Sequence, residues 1–600
     1  MYLKQLTLNN FRSFKHIDLF FNKGLNILIG ENNSGKTAII DALRICLGYG
    51  KPYNDIYVQE SDLHINPNDP SEINKEIQFD LIFEFGDNPQ EKICFYDFIS
   101  QDESDPQKQT MQFHLKFTFE DNGKKQYFKR TIWGGDNEGQ VIPYDALQEI
   151  FFTYLSPLRD AIIGLKPYSN YNKTAQLFNQ LTKYKQKNSQ EIKLDENKKK
   201  ELASNLYGVF ESDEHDWKYI LKEGKEKVND HLEGTGINKK YPNIEMNYVG
   251  RKFSDVVKGI ELKRPIYEPD KLNGTEQAYF ELYQNGLGEN NLIYTSVVLG
   301  DLINRCDDNE LEIFNVLLVE EPEAHLHPQY QNTFFGYLNK LQDKGLQIFM
   351  TSHSPTITAK SDLKNITILQ KQNHQIKALS FANLGEDDFS ITNRKHLRKF
   401  LDTTKSQMFF ASGVILVEGI VEAILIPILS KKFLKPKSFD LEKEGVELVN
   451  IGGVAFEHFA KLFNNDSVDK RLLTKCSILT DSDPKDDKPF SDRAKNAKRM
   501  QKKNLYVSLA KNTFEHDLFE TSDTNKKIMR EVYRGLHKDT ADLKNDFTVQ
   551  ILMEKLKSNK DKADFALELH DKLLTESSFD VPEYIKKAIE FIFEINPENV

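Results

Sequence analysis

Apolar and polar positions alternate from the first residues onward. MYLKQLTLNNFRSFKH carries the two-residue period of a half-buried strand, and the same texture recurs at Leu3–Leu8, Leu25–Ile29, Glu76–Glu84, Thr110–Phe119 and Lys125–Ile132. Residues 1 to about 155 therefore predict a sheet-rich lobe, with one strong helix, AIIDALRICL, after Gly35. From about 165 to 280 the apolar pattern thins and Asn, Lys, Gln and Glu dominate, which predicts a helical, surface-exposed insertion with partly disordered loops. Two strongly apolar strands, FNVLLVEE and LQIFMTSH, follow with a helix-length segment between them. A second α/β block begins near 410, and 525 to 600 is mainly helical by period. There is no internal repeat.

In the run GVILVEGIVEAILIPILS, Gly413 to Ser430, Glu418 and Glu422 interrupt an otherwise aliphatic stretch. A spanning helix needs about 20 apolar residues, and two carboxylates in a shorter run argue against one. The β-branched residues come first and a glycine breaks the run. That order predicts a buried strand at Val414 to Val417, a turn at Glu418-Gly419 and a helix from Val421. Both acids then lie at the carboxyl end of a strand, where open α/β sheets bind ligands.

At 600 residues the chain exceeds one ordinary core, so two or more domains are expected. Hydrophobic residues make up 39% and charged ones 28%, a globular composition. A net charge of −11 argues against a general nucleic-acid coat but leaves room for local basic clusters at Lys431–Lys437 and Lys495–Lys503, which read equally well as solvated helix faces. Cys46, Cys94, Cys306 and Cys476 show no ligand spacing, so a reducing cytoplasm without structural zinc is the expectation. No export signal or membrane segment is expected either.

GENNSGKT, Gly30 to Thr37, follows the strand LNILI and opens a helix, the context the GxxxxGK[ST] pattern requires. Gly30 and Gly35 let the loop through Asn32, Asn33 and Ser34 curl its N–H groups toward phosphate oxygens. Lys36 would reach the β- and γ-phosphates of ATP, and Thr37 would hold Mg²⁺. VLLVEEPEAHLHP supplies Glu320 as the metal-holding carboxylate beside Thr37 and Glu321 to orient or deprotonate the attacking water. His353 ends the strand IFMTSHSP, where its imidazole could touch the γ-phosphate.

The strand CSILTDSDP ends in Asp481 and Asp483, two residues apart, so their side chains should share one face. With Glu418 and Glu422 they put four acids at the ends of two neighbouring strands. Unpaired, such acids repel and titrate upward, and an all-oxygen set points to a hard cation, Mg²⁺ or Mn²⁺.

The phosphate loop, EEPEAHLHP and NFRSF at Asn10–Phe14 resemble the ATP-binding-cassette ATPases of recombination, repair and chromosome maintenance. That resemblance implies paired heads with ATP between them. The signature loop reads QNGLGENN, Gln284 to Asn291, without the usual serine. Gly286 and Gly288 could still approach a phosphate, so ATP binding is better supported than rapid hydrolysis. The EG…DxD acids resemble the Toprim fold. Together, the two halves resemble the OLD (overcoming lysogenization defect) family of endonucleases, with motifs matching from Gly30 to Lys562.

The resemblance implies an α/β, multidomain chain. Residues 1–400 would be an ABC-type P-loop ATPase with the 165–280 insertion as its dimerisation region. Residues 408–522 would be a Rossmann-like Toprim core, and 523–600 a helical part completing the nuclease site. It makes Glu515 in KNTFEHDLFE a further metal ligand and Lys562 in NKDKADFALEL a catalytic lysine, although Asp561 and Ala563 replace that element's glycines. Two cations would serve the nuclease site and one the ATP. Glu418, Asp481 and Asp483 would form the centre, with Glu422 and Glu515 reaching the second ion. The expected partners are DNA, further copies of the chain as a homodimer or homotetramer, and a helicase-like subunit or a retron nucleic-acid complex. An anti-phage role is implied too. Separate phosphate and metal sites lead to the further expectation that ATP restrains the cutting and its depletion releases it. The alternative is an ATP-gated DNA clamp for repair or segregation whose Toprim acids bind metal without cutting. A transporter ATPase would have no use for the C-terminal acids.

Overall fold

The computed structural model describes residues 1–594 apart from 50, 52–55, 67–73, 102–108, 122, 141, 144, 158–160, 170–171, 182–184, 188–189, 193, 209–216, 235–251, 268–277, 307–312, 373–374, 435–439, 454, 485–489, 538–546 and 577. Part of the basic run Lys431–Lys437 and much of the 165–280 insertion thus lie outside the described residues.

Strands β1 (Tyr2–Phe11) and β2 (Phe14–Phe20) form the first hairpin. With β4 (Glu76–Glu84), β5 (Ile99–Gln101), β6 (Gln109–Asp121) and β7 (Gln126–Gly134) they build an antiparallel sheet of order β2-β1-β4-β6-β5, with β7 on β6. Its alternation has a plain cause. Ile77, Phe79, Leu81 and Phe83 of β4 are all buried, while the residues between them are not.

The second sheet has the order β16-β15-β3-β14-β13-β8, from β3 (Leu25–Gly30), β8 (Ile150–Leu155), β13 (Phe314–Glu320), β14 (Gln347–Ser352), β15 (Ile366–Gln372) and β16 (Gln375–Ser380). All its pairs are parallel except β15 with β16. Every residue of β3, β13 and β14 is buried, as befits strands covered on both faces.

The insertion expected to be helical contains the helices Lys173–Leu181, Glu196–Gly208, Trp217–Gly234 and Phe253–Lys258. It also contains two small hairpins, β9 (Lys185–Lys187) with β10 (Gln190–Ile192) and β11 (Arg264–Pro265) with β12 (Tyr279–Phe280), which its polar composition does not announce.

The third sheet is wholly parallel, of order β18-β17-β19-β20, from β17 (Gly413–Val417), β18 (Val446–Asn450), β19 (Lys475–Thr480) and β20 (Leu505–Leu509). The helix Ile420–Leu434 and the helices Asp523–Leu536, Asn559–Thr575 and Glu583–Phe593 share one core with it. Its other face joins the second sheet's core through Phe381, Phe389, Met408 and Phe409. Gln370 of β15 sews this seam, accepting from Leu473 N at 2.6 Å and donating to Arg471 O at 3.3 Å.

Candidate nucleotide and metal sites

The phosphate loop is shaped by close contacts that only glycine tolerates. Gly35 has φ +90°, and a Cβ there would stand 2.3 Å from the Phe14 ring. Gly30 has φ +151°, and its Cβ would stand 2.4 Å from Leu369 O. The NFRSF turn therefore matters because Phe14 lies against the loop. Asn10 and Arg12 take φ of 55° and 50° to make that turn. Arg12 then binds Asp41 at 2.6 Å and Asp62 at 2.8 Å, fixing the turn to the helix Lys36–Leu47.

Lys36 is buried and donates to Gly30 O at 2.9 Å, Glu31 O at 2.7 Å and Ser34 Oγ at 3.3 Å. Burial pushes its pKa down to about 8, with Glu321, Glu323 and Glu31 opposing. Asn32, Asn33 and Thr37 are exposed at the mouth of the loop.

Parallel pairing brings Glu320, at the end of β13, beside Thr351 of β14, and Ser352 beside Ile29 of β3. Burial, and then Asp41, push the Glu320 carboxyl up to about 7, with Arg44 pulling it back. Its Oε1 is buried without a hydrogen-bond partner. A cation beside the phosphates would satisfy that oxygen, so Glu320 and Thr37 fit a nucleotide-bound metal.

Glu321 has φ 42°, and its carboxylate lies 3.7 Å from His353 Nε2. Burial and then Lys36 lower the His353 pKa, with Glu321 opposing. Glu323 escaped the sequence reading. Its Oε1 accepts from Ser352 Oγ at 2.9 Å and His353 N at 2.6 Å, and burial raises its pKa. Only its place as the third acid of EEPEAHLHP could have drawn notice.

Gly288, one of the two glycines expected to approach a phosphate, lies close to the main chain of the EEPEAHLHP segment. A Cβ there would stand 2.6 Å from His325 O, at the start of the helix Leu287–Cys306. Gly286 has nothing within 4 Å of its Cβ position.

At the second site β17 and β19 pair directly, so their carboxyl ends bring Glu418 and Asp481 together. Glu418 Oε1 accepts from the Thr480 hydroxyl, from Asp481 N at 3.2 Å and from Arg493 Nη2 at 3.0 Å. Glu422 lies buried in the first turn of the next helix. The expectation that Asp481 and Asp483 share a face through strand alternation needs correction. β19 ends at Thr480, and Asp483 takes φ 43° with its carboxylate 2.9 Å from Arg493. The Asp-Ser-Asp turn is docked instead on the loop after β20, where Asn512 O accepts from Ser482 N at 3.1 Å. Asp517 braces that loop by accepting from Lys511 N at 2.5 Å and Asn512 N at 3.2 Å.

Glu515 is buried and pairs with Lys562 at 2.8 Å. Burial pushes the lysine's pKa down, but Glu515, Asp481 and Glu422 outweigh it and leave the pKa raised. Burial, followed by Glu418, Glu422, Glu515 and Asp483, pushes Asp481 up to about 8. Burial, with Glu515 and Glu418, pushes Glu422 up to about 7. This is the electrostatic signature of an all-oxygen set that a divalent cation would relieve, so the donors fit one. Among the described residues, however, no three His, Cys, Asp or Glu side chains stand together as a ready metal group. Among the described residues, Arg493 pairs with Glu418 and Asp483, and Lys562 pairs with Glu515. Arg493 stands just before the basic run Lys495–Lys503, in the first turn of the helix Asp492–Arg499, and no motif in the sequence marks it. Tyr584, whose buried hydroxyl has no partner and whose pKa is raised well above its usual value by burial and then by Asp481, was missed for the same want of a motif.

Comparison with known proteins agrees with this division. A family model described as AAA ATPase domain matches residues 1–358, and one described as Overcoming lysogenization defect protein-like, TOPRIM domain matches residues 409–483. The chain is 24% identical to Endonuclease GajA of Bacillus cereus (strain HuB5-5) over 52% of its own length and 53% of that protein's. It is 22% identical to Old nuclease of Escherichia phage P2 over 80% of its own length and 78% of the relative's. It is 28% identical to OLD nuclease of Thermus scotoductus (strain ATCC 700910 / SA-01), over 24% and 27%. The match to the first of these spans about half of that relative.

Proposed function

The chain belongs to the AAA ATPase domain family and carries an OLD-like TOPRIM domain behind it, and on that premise we propose that it is a metal-dependent DNA endonuclease governed by nucleotide. Residues 1–400 form the ATPase part and 408–522 the nuclease core, completed by 523–600. The chief support is the pairing of β17 with β19, whose ends bring Glu418 to Asp481, with Glu422 in the first turn of the helix after β17 and Lys562 on Glu515 at 2.8 Å. The relatives named endonuclease and nuclease fit the same reading.

Divalent cations bound at these acids would supply charge neutralisation and an activated water for in-line phosphodiester displacement. Glu418, Asp481 and Asp483 would hold the first ion, Mg²⁺ or Mn²⁺, and Glu422 and Glu515 would extend the set to a second. Lys562 would place its ammonium on the leaving oxygen or the crowded phosphate. In the ATPase part Lys36 grips the phosphates, Thr37 and Glu320 hold the nucleotide's metal, and Glu321 and His353 address the γ-phosphate.

ATP restrains cutting in this account and its depletion releases it. The protein acts in the cytoplasm on DNA, pairs with further copies through its ATPase part and serves in defence against phage. A helicase-like subunit or a nucleic-acid-containing partner would join it. The pairing of Glu418 and Asp483 with Arg493 favours one second reading, an ATP-gated DNA clamp whose Toprim part does not cut.

Supercoiled plasmid incubated with Mg²⁺ or Mn²⁺, with and without ATP, beside a Lys36→Ala variant separates these readings. Nicking suppressed by ATP in the wild type but not in the variant supports the regulated nuclease. Equal nicking with and without ATP would sink the regulation. DNA binding gated by ATP without cleavage under either metal would leave the clamp.

A further inference from the structure

The acids at the ends of β17 and β19 already hold a cation that belongs to the chain. Arg493 Nη2 lies 3.0 Å from Glu418 Oε1, 3.4 Å from Glu418 Oε2 and 2.9 Å from Asp483 Oδ2. One guanidinium nitrogen therefore bridges two carboxylates, Glu418 just after β17 and Asp483 in the turn that follows β19. Its Nε is buried with no hydrogen-bond partner, so the group is not held by a full set of bonds of its own.

Local structure puts Arg493 there by design of the backbone. It stands in the first turn of the helix Asp492–Arg499, whose N-cap Ser491 accepts from Ala494 N. Ser491 N in turn donates to Ser482 O at 2.9 Å, tying the helix start to the middle of the Asp-Ser-Asp turn. The arginine is thus registered to the acids through the main chain. Its side chain is nevertheless 34% exposed, so it can swing toward solvent without disturbing the core.

A guanidinium stays protonated and offers only donors, so it cannot join a metal's ligand set. Carboxylate oxygens that point at it are not free to close on a cation, and two positive charges on the same oxygens repel. We infer that Arg493 is an internal counter-ion that competes with the divalent cation for Glu418 and Asp483, and that the cation must displace it to load the nuclease site. Arg493 then acts as a positioning residue. It keeps the two acids aimed at one point in the unloaded chain, and its departure on loading sets the metal concentration at which the site fills. This inference rests on the reading of these acids as a metal site.

Mn²⁺ binding to the full chain without nucleotide, followed by electron paramagnetic resonance, tests it on wild type, Arg493→Gln, Arg493→Lys and Asp481→Asn, each checked by thermal melting. The signal that Asp481→Asn removes is the signal of the acids. Arg493→Gln is expected to tighten that component about tenfold or more, the scale of a hydrogen bond to a charged group. Arg493→Lys, which keeps a charge, should fall between it and wild type. Affinity unchanged or weakened in a folded Arg493→Gln chain, with the component present in wild type, overturns the competition and leaves the metal site standing. Absence of any such component from both wild type and Arg493→Gln overturns the metal site and the inference with it. If Arg493→Gln does not fold, affinity in Arg493→Lys decides: tighter than wild type supports competition, and equal or weaker refutes it.

Discussion

Lys562 Nζ stands 2.8 Å from Glu515 Oε1 and joins the helix Asn559–Thr575 to the acids at the end of the third sheet. That helix packs on the helix Ile420–Leu434, which carries Glu422, so the lysine reaches the acids from a rigid base. Lys562→Ala is predicted to lower single-turnover cleavage by about 10²–10³, the usual scale for losing one preorganised donor to a developing negative charge. It also strands a buried carboxylate, which costs about 1–3 kcal/mol in a denaturant melt. Lys562→Met with Glu515→Gln should recover stability and not cleavage. Recovery of cleavage in the double variant would refute the role given to the lysine.

Gly35→Ala tests the packing of NFRSF on the phosphate loop. The new methyl meets Phe14 at a backbone φ of +90°, so binding of a fluorescent ATP analogue should be lost. The strain alone costs about 1–3 kcal/mol. Adding Phe14→Ala relieves the clash but not the φ, and should restore binding only in part. Full binding in Gly35→Ala would show that the loop does not need this shape.

Glu323→Ala removes the acceptor for Ser352 Oγ and His353 N. Hydrogen bonds to a charged group are worth about 1.5–3 kcal/mol, so ATP hydrolysis should slow about 10- to 100-fold while ATP binding holds. Equal loss of binding and hydrolysis would make Glu323 a general structural residue.

Stability of the cation-free chain should fall as pH rises. Asp481 is pushed up to about 8 by burial and then by neighbouring acids, and Glu422 up to about 7 by burial and then by Glu515 and Glu418. In the unfolded chain such carboxyls titrate near about 4. The folded chain therefore binds more protons between about pH 4 and 8, and the stabilisation present below that window is lost across it. The melting temperature should be lower at about pH 8.5 than at about pH 6, by less in Asp481→Asn/Glu422→Gln. Mg²⁺ should recover more of it at the higher pH. A melting temperature that the double variant leaves equally pH-sensitive would contradict the linkage.

Local pattern exposed much of this. The strand Glu76–Glu84 was predicted to the residue because one face is buried and the other is not. The phosphate loop and the acids at strand ends carry residue types that few other roles explain. What escaped depends on contacts between distant segments. Arg493 reaches Glu418 across 75 positions, and no local period encodes that. The left-handed turn at Asp483 ended an alternation that sequence spacing had extended one step too far. The small hairpins of the insertion are short and polar, so they lack the alternating signal of longer strands.

The most direct test is cleavage of supercoiled plasmid with Mn²⁺ by the purified chain beside Asp481→Asn, a near-isosteric change that removes the charge and replaces one acceptor oxygen with a donor amide. The account predicts nicking by the wild type and none by a variant whose melting curve remains cooperative. Undiminished nicking by Asp481→Asn would contradict it.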